Sequence, residues 1–562
     1  MAIDAKSKLG KKDVDQLNKR HGALLTERSS WDAHWQDISD NLLPRSGRFF
    51  SKKQNNGDKR HNNIHDSTGT KSLRILAAGM MSGMTSPARP WFRLTTSQPD
   101  LDEAQSVKIW LSDVTRLLQM IFAKSNTYRA LHGMYSELGG FGTSASIILP
   151  NFDSVIHHHL LTTGEFAIST NYLGAVDTLY REFNMTVSQI VGEYGLDNCS
   201  RAVKDSYNRG NYDVWVPVVH AIEPRIDRDI KLRDSRNMPF RSVCFEKGAK
   251  TQMILRESGF KRFPGIAPRW DVTGGDIYGN SPGMEALGDI KQLQHEQLRK
   301  AQAIDYKVNP PLQMPTSMKT SMVDTLPGGI SFVDVTAQGN GIRSAFDVNI
   351  DMSHLLADIQ DVRERIKGVF YADLFLMLAN GVDRQMTATE VAERHEEKLL
   401  MLGPVVERLN NEILDPLINM AFEYALEAGI IPPAPPELHG MELNVEFVSV
   451  LAQAQRAVAT NSVDRLVNNI GVIANFKPDV LDKFDADYWV DAYADMLGTD
   501  PQLIVPGDKV ALIRQQRQQA AQQQEQMAAI ESGANSINKL AGAQTESPSA
   551  LTNVMNNLQG YS

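Results

Sequence analysis

Two long runs of apolar residues at helical spacing, separated by one short polar break, dominate the middle of the chain. Between Asp351 and Leu378, the residues Leu355, Ile359, Val362, Ile366 and Val369 recur at alternating steps of four and three, while Asp358, Asp361, Glu364, Arg365 and Lys367 take the other faces. That spacing predicts a single amphipathic helix. At 1.5 Å per residue it would be about 40 Å long, more than a catalytic pocket needs and a natural length for a wall element. From Ala379 to Met386 the pattern stops, and Asn380-Gly381 marks a turn. A second helix is expected from Thr387, where Thr387-Ala-Thr-Glu390 has capping-box spacing. It runs through Val391, Leu399, Leu402, Val406, Leu409 and Leu414, with kinks expected at Gly403-Pro404 and Asp415-Pro416.

The rest of the chain divides at its turn signals. Residues 1–43 read as helix, with Leu17, Leu24, Leu25, Trp31, Trp35 and Ile38 on one face and a stop at Pro44-Arg-Ser-Gly47. A basic loop, Arg45 to Arg60, precedes a helical run through Leu73, Leu76, Ala77, Met80 and Met81. Mixed helix and strand patterns then continue to about Asp271, an α+β block. A helix is expected from Ser281 to about Tyr306. Short strands around Pro310-Pro311, Gly328 to Val335 and Ile342 to Phe346 make a small β insert between it and the helix from Asp351. Ile431-Pro-Pro-Ala-Pro-Pro436 reads as a stiff linker, Met441 to Val450 as a strand, and Ala452 to Leu497 as a second helical cluster. The Gln-rich stretch Arg514 to Gln526 leads to a tail expected to be disordered after Gly533.

Composition narrows the function classes. A chain of 562 residues with 42% hydrophobic content can bury a large core and build several subdomains. No run approaches 18 uncharged apolar residues, and Met1-Ala-Ile-Asp-Ala-Lys lacks a signal-peptide core, so no membrane insertion and synthesis in the cytoplasm are expected. Cys199 and Cys244 read as buried free thiols rather than a disulfide framework or a zinc cluster. The first 60 residues hold about 13 Lys and Arg against 8 acids, whereas Asp351 to Asp500 holds about 26 acids against 11 bases. At a net charge of −9, a tight sequence-neutral grip on nucleic acid is disfavoured, because such a grip needs many cations on phosphates.

Catalytic motifs are weak. Gly69-Thr-Lys-Ser72 has part of a phosphate loop, but Thr70 stands where the glycine before the lysine is required, and a helix start is the simpler reading. His157-His-His159 lies on a strand pattern that sends neighbours to opposite faces, and no His-Glu-x-x-His helix completes a metal site. No Gly-x-Ser-x-Gly elbow is present. The chain reads as a non-enzyme that needs no cofactor or metal.

Taken in order, Trp31 to Pro44, Ser67-Thr-Gly-Thr-Lys-Ser-Leu, Ser86-Pro-Ala-Arg-Pro-Trp-Phe92, Arg269-Trp-Asp271, Tyr278-Gly-Asn-Ser-Pro-Gly-Met-Glu-Ala-Leu287, Tyr371-Ala-Asp-Leu-Phe375, Met386-Thr-Ala-Thr-Glu-Val391, Leu402-Gly-Pro-Val405 and the Pro-rich linker carry a resemblance. It extends over nearly the whole chain and is to the portal, or head-to-tail connector, proteins of short-tailed bacteriophages. The resemblance implies a mainly helical α+β portal fold in a ring of twelve subunits at one capsid vertex of the virion. It implies a wing over residues 1–280, stem helices over 281–306 and 351–378, a clip over 307–350 and a channel loop over 379–386. A long kinked wing helix with linker and strand would follow over 387–450, a crown over 451–505, and a Gln-rich helix and tail over 506–562. The implied function is genome packaging with the terminase motor, genome retention, tail attachment and DNA ejection. Implied partners are the large terminase, scaffolding protein, major capsid protein, tail adaptor or nozzle proteins, and duplex DNA threaded without sequence specificity. A head-tail adaptor or another ring-forming virion component and, in another class, a metal-dependent nuclease are the alternatives.

The template assigns candidate residues. Asn380, Gly381, Asp383, Arg384 and Gln385 would form the channel loop, and Asp358, Asp361, Glu364 and Arg365 would face the channel. Pro311, Gly329, Phe332, Asp334 and Arg343 would dock the terminase or tail. Duplex DNA carries one charge per about 1.7 Å, so a 40 Å wall would face about 24 phosphates, and an acidic face avoids the brake that a cationic one would apply.

Overall fold

The structure is a computed structural model that describes residues 11–49, 60, 62–98, 104–232, 234–248, 254–309, 311–313, 343–344, 352–380, 401–438, 440 and 443–448, and more sparsely 466–467, 469–474, 476–490, 505, 509–524 and 527. It falls into two compact units, residues 1–481 and 482–562.

Helix α1 (Lys11–Asn41) opens the first unit. Its Val14, Leu17 and Leu24 bury against one face of a five-stranded antiparallel sheet, and its Trp35 and Ile38, with Leu42 just past its end, enter the main core. Leu25 and Trp31 are half-buried. The sheet runs in the order β4 (Phe166–Thr170), β5 (Val176–Thr186), β6 (Trp215–Pro224), β7 (Phe240–Glu246), β8 (Ile254–Phe260). Alternation places Tyr180, Val219, Ala221, Val243 and Phe245 under α1. The opposite face receives α5 (Val187–Tyr194) and α6 (Arg201–Asn208), which enclose Cys199 and Cys244 as buried free thiols.

Helices α2 (Thr68–Met84) and α4 (Thr127–Phe141) approach closely because α4 carries glycine at the crossing. A Cβ at Gly139 would run into Leu73 and Leu76. Amphipathic α3 (Gln105–Lys124) buries Val107, Leu111, Val114, Leu118 and Phe122. Its Trp110 Nε1 donates to the Pro432 carbonyl at 3.0 Å and so ties down the Pro-rich linker. Strand β1 (Phe92–Thr96) pairs antiparallel with β12 (Leu443–Phe447), joining positions about 350 residues apart, with Arg93 bonded to Glu446 at 2.6 Å. A three-stranded sheet, β3 (Val155–Leu161), β2 (Ala145–Asn151), β9 (Gly265–Ile266), packs beside α4.

The second half differs from the sequence expectation in three places. Helix α7 (Pro282–Glu285) leads into α8 (Leu287–Val308), but the run from Asp351 is not one rod. It is α9 (Ser353–Val369), a break at Phe370-Tyr371, and α10 (Ala372–Asn380). Tyr371 takes a left-handed φ of 52°, and the break turns Phe370, Leu374 and Phe375 into the core. Second, Gly403-Pro404 does not interrupt its helix, since residues 401–409 remain helical. The distortion is a π turn, Asn410–Leu414, followed by α11 (Asp415–Glu427). Pro416 lacks the N–H that would bond back to residue 412, and the Asp415 N–H reaches the Asn410 carbonyl instead, one residue further than in an α-helix. Third, the helix does not stop before Asn380, as a loop beginning at Ala379 would require. The capping box at Thr387 lies outside the described residues.

In the second unit a polar, exposed helix spans 509–524, and Arg514 grips Asp487 through two bonds of 2.6 and 2.7 Å.

Candidate functional site

The helices α8 and α9 form an antiparallel pair. Asp289 meets Arg365 at 3.3 Å, and further along, Glu296 lies beside Asp358. Beyond the helix ends, β10 (Leu312–Gln313) pairs with β11 (Arg343–Ser344), so the two ends of the intervening segment are held together. One face of α9 follows the predicted stripe, with Ile359, Val362 and Ile366 buried and Leu355 and Val369 half-buried.

The pair is anchored to the rest of the molecule at Asp66. Its Oδ1 accepts from the Thr68 backbone N–H (2.8 Å) and hydroxyl (2.6 Å), which starts α2. Its Oδ2 accepts from Arg363 Nη2 (2.7 Å) and Nε (3.1 Å) on α9 and from Gln297 Nε2 (3.0 Å) on α8. Gln294 of α8 completes the knot by accepting from the His65 and Asp66 N–H groups at 2.6 and 2.7 Å and donating to the Asp66 carbonyl. Burial opposes charge on Asp66, but the bonds from Thr68 and Arg363 outweigh it and hold the carboxyl below its usual range.

Two further contacts fix how these helices leave the core. Tyr278 packs edge-on against Trp35, with ring centroids 5.1 Å apart, and its hydroxyl accepts from the Ile168 N–H. Ser281 caps α7 through the Met284 N–H (3.1 Å) and donates to the Gly140 carbonyl (2.8 Å), while a Cβ at Gly142 would strike the Gly279 carbonyl. The Tyr278-to-Met284 motif therefore welds the start of the helix pair to the end of α4. At the π turn, Glu412 accepts from Arg269 through the backbone N–H (2.8 Å) and Nη2 (2.7 Å), with the arginine side chain only 5% exposed. Sequence reading picked Arg269 only as part of a motif and missed Asp66, Gln294, Gln297, Arg363 and Glu412. The Asp-Ser-Thr68 cap pattern was the one available signal, for Asp66.

The residues expected to face a channel are all exposed on α9, but they do not form a bare acidic wall. Arg365 bonds Asp361 (3.1 Å) as well as Asp289, and Glu364 bonds Lys367 (3.0 Å). Asp358 stands against Glu296, whose carboxyl is pushed up by burial first and by Asp358 next, although Gln292 bonds it. Pro311 is exposed next to β10, and the Arg343 backbone pairs with Gln313. Asn380 ends α10; Gly381, Asp383, Arg384, Gln385, Gly329, Phe332 and Asp334 lie outside the described residues. The histidine triplet alternates as a strand must: His157 and His159 share a face, with rings 5.0 Å apart, and His158 is buried on the other. No group of three or more metal-ligating side chains occurs among the described residues, and none of the described helices is long and apolar enough to cross a membrane.

Residues 14–505 match the family described as bacteriophage head to tail connecting protein. The chain belongs to that family. This connector is 64% identical over 545 residues to the "Probable portal protein" of Bordetella phage BPP-1 and 45% identical over 545 residues to the "Portal protein" of Salmonella phage epsilon15. Each alignment covers 97% of this chain and 98% of the relative. Among solved structures, the virion of a native gene transfer agent particle aligns over 83% of the connector and 99% of that chain at 10% identity and a TM-score of 0.37. The neck of an empty gene transfer agent particle aligns over 81% and 96% at 12% identity and a TM-score of 0.34. Similarity at those scores identifies neither fold nor function. The connector is a phage virion component at the junction of head and tail.

Proposed function

We propose that this connector is a portal subunit. Twelve copies would form the ring through which duplex DNA enters and leaves the capsid, with docking sites for the terminase motor and later for tail proteins, and with scaffolding and major capsid proteins around it. The observation that carries the reading is identity of 64% and 45%, over nearly full length, to two proteins named as portals. The fold adds a mechanical rationale. The helix pair α8/α9 is the stem, and β10/β11 closes the base of a clip. The segment after α10 is the channel loop, the block up to residue 280 and the helix through the π turn are the wing, and residues 451–505 are the crown.

At 17 residues, α9 is about 25 Å long and spans roughly 15 phosphates of duplex DNA rather than 24. On its exposed face Asp358, Asp361 and Glu364 are offset by Arg365 and Lys367, so the face is weakly acidic and internally paired. Exposed pairs of this kind contribute little to stability, on the order of 0.5 kcal/mol each. Their value lies in leaving no unpaired cation to hold a phosphate while DNA moves past. Electron microscopy of the purified full chain tests the proposal: closed rings of twelve with an axial channel are expected, and a monodisperse 62.5 kDa monomer under all conditions, scaffold included, would remove it. Complementing a portal-deficient phage with Arg384→Glu should preserve capsid assembly while lowering packaged DNA.

A further inference from the structure

The partial phosphate-loop sequence at the start of α2 is not idle in three dimensions. An open cavity of about 510 Å³ lies where the N-terminus of α2 meets α9 and α10, and it is lined in part by Ser67, Thr68, Lys71, Ser72, Arg363 and Lys367. We propose that this cavity binds a phosphoryl oxyanion. Four observations carry it.

The first turn of a 17-residue helix borders the cavity and brings its positive end there, with the Thr68 N–H already taken by Asp66. The Ser72 side chain is 2% exposed, lines the cavity, and has no hydrogen-bond partner among the described residues, so its hydroxyl is available to a ligand entering the cavity. Lys71 reaches the same space without an ion pair among the described residues, and Ser67 makes no side-chain cap bond, so ammonium and hydroxyl remain available to a ligand. Finally, three cations, Lys71, Arg363 and Lys367, line the cavity; Arg363 is paired with Asp66 and Lys367 with Glu364, so Lys71 brings the unpaired positive charge there among the described residues. Both Asp66 oxygens are already taken by Thr68, Gln297 and Arg363, so the carboxylate is not turned on the ligand. Ile75, Ala372 and Leu376 form an apolar side wall, which leaves room for the organic part of a phosphate ester.

This site differs from a nucleotide-hydrolysing loop. Thr70 stands where the glycine before the lysine is needed, and no acidic cluster for a divalent ion occurs among the described residues. The chemistry is binding, not transfer. The phosphoryl group has two sources, a free phosphate compound or the backbone of DNA, and the test separates them.

Calorimetry of the full chain, in its purified assembly, with sodium phosphate and then ATP as probes, should show saturable binding that sulfate displaces and chloride does not. Lys71→Ala and Ser72→Ala should each weaken it at least tenfold with an unchanged urea midpoint, and Lys19→Ala, on exposed α1, should not. Lys71→Arg should restore most of the affinity. In parallel, anisotropy of a labelled duplex is measured against salt. A weaker affinity in Lys71→Ala with a salt slope smaller by about one assigns the site to the DNA backbone. An unchanged duplex affinity with lost phosphate binding assigns it to a free compound. Equal phosphate and duplex binding by wild type and both alanine variants overturns the site, as does the lack of saturable phosphate binding together with an unchanged duplex slope.

Discussion

At the scale of single residues, Asp66 is where three elements meet. Replacing it with alanine leaves Arg363, Gln297 and the Thr68 N–H without an acceptor. Removing one partner of a buried charged pair costs about 3–5 kcal/mol, and since Arg363 is 35% exposed the lower end applies, about 3 kcal/mol. Urea denaturation of Asp66→Ala should show an unfolding free energy reduced by that amount, and an unchanged value would mean the helix pair is anchored elsewhere. The cap pattern of Asp66 is visible in sequence. Its partners on α8 and α9 lie up to 297 residues away and are not.

The same scale sets the pH response. Burial lowers His158 and His220 to about 3 and His21 and His159 to about 4 from an ordinary 6.5. Because these folded values are depressed, the stability from neutral imidazoles is complete above pH 6.5 and is lost as pH falls toward 4. Glu137 behaves oppositely. Burial lifts it from 4.5 to about 7 despite bonds from Thr162 and Thr163, so the contribution of its protonated form is complete below 4.5 and is lost as pH rises through 7. Thermal scans should show stability rising steeply from pH 4 to 6.5 and then easing slightly, and Glu137→Gln should abolish the easing.

At the scale of elements, close approach and backbone geometry decide more than stripes do. Helix α10 lies on α2 at Gly79, where a Cβ would overlap the Phe375 ring. Gly79→Ala should therefore destabilise by about 1–3 kcal/mol, and pairing it with Phe375→Leu should recover part of the loss; if the single variant matches wild type in urea, the two helices are not in contact there. The π turn makes a second case. Glu412→Gln weakens the bond to a nearly buried Arg269 and is expected to cost about 2 kcal/mol. Pro416→Ala restores the missing N–H, lets the turn relax toward α geometry and swings Glu412 out of register, so its cost should largely vanish in the Glu412→Gln background. A double-mutant cycle in urea checks this; strict additivity would separate the proline from the ion pair.

At the scale of the whole molecule, the connector joins distant parts of its chain by a few pairings. Strands β1 and β12 bridge about 350 residues, and the Arg93–Glu446 bond lies across that ladder at 2.6 Å with both side chains partly exposed. Truncation before Leu443 should thus expose the edge of β1 and unseat the linker held by Trp110. The expected readout is faster proteolysis within residues 91–124, and an unchanged digestion pattern would show that the pairing is dispensable.

Local periodicity determined much of this protein from its sequence alone. The stripe of Ile359, Val362 and Ile366, the face of Leu17, Leu24, Trp35 and Ile38 on α1, a helix start around Gly69-Thr-Lys-Ser72 and a strand within Met441 to Val450 all follow from patterns that a chain segment carries within itself. The ordered motifs, read together, were specific enough to indicate the connector family. Tertiary structure alone decided where the rod from Asp351 breaks, which of the two kinks expected at Pro404 and Pro416 distorts the later helix, and which polar residues anchor the helix pair. Each of those outcomes depends on a partner far along the chain: Phe375 needs the gap at Gly79, Glu412 needs Arg269, and Arg363 needs Asp66. A periodic pattern says which face of a segment is apolar, but it carries no information about what that face will meet.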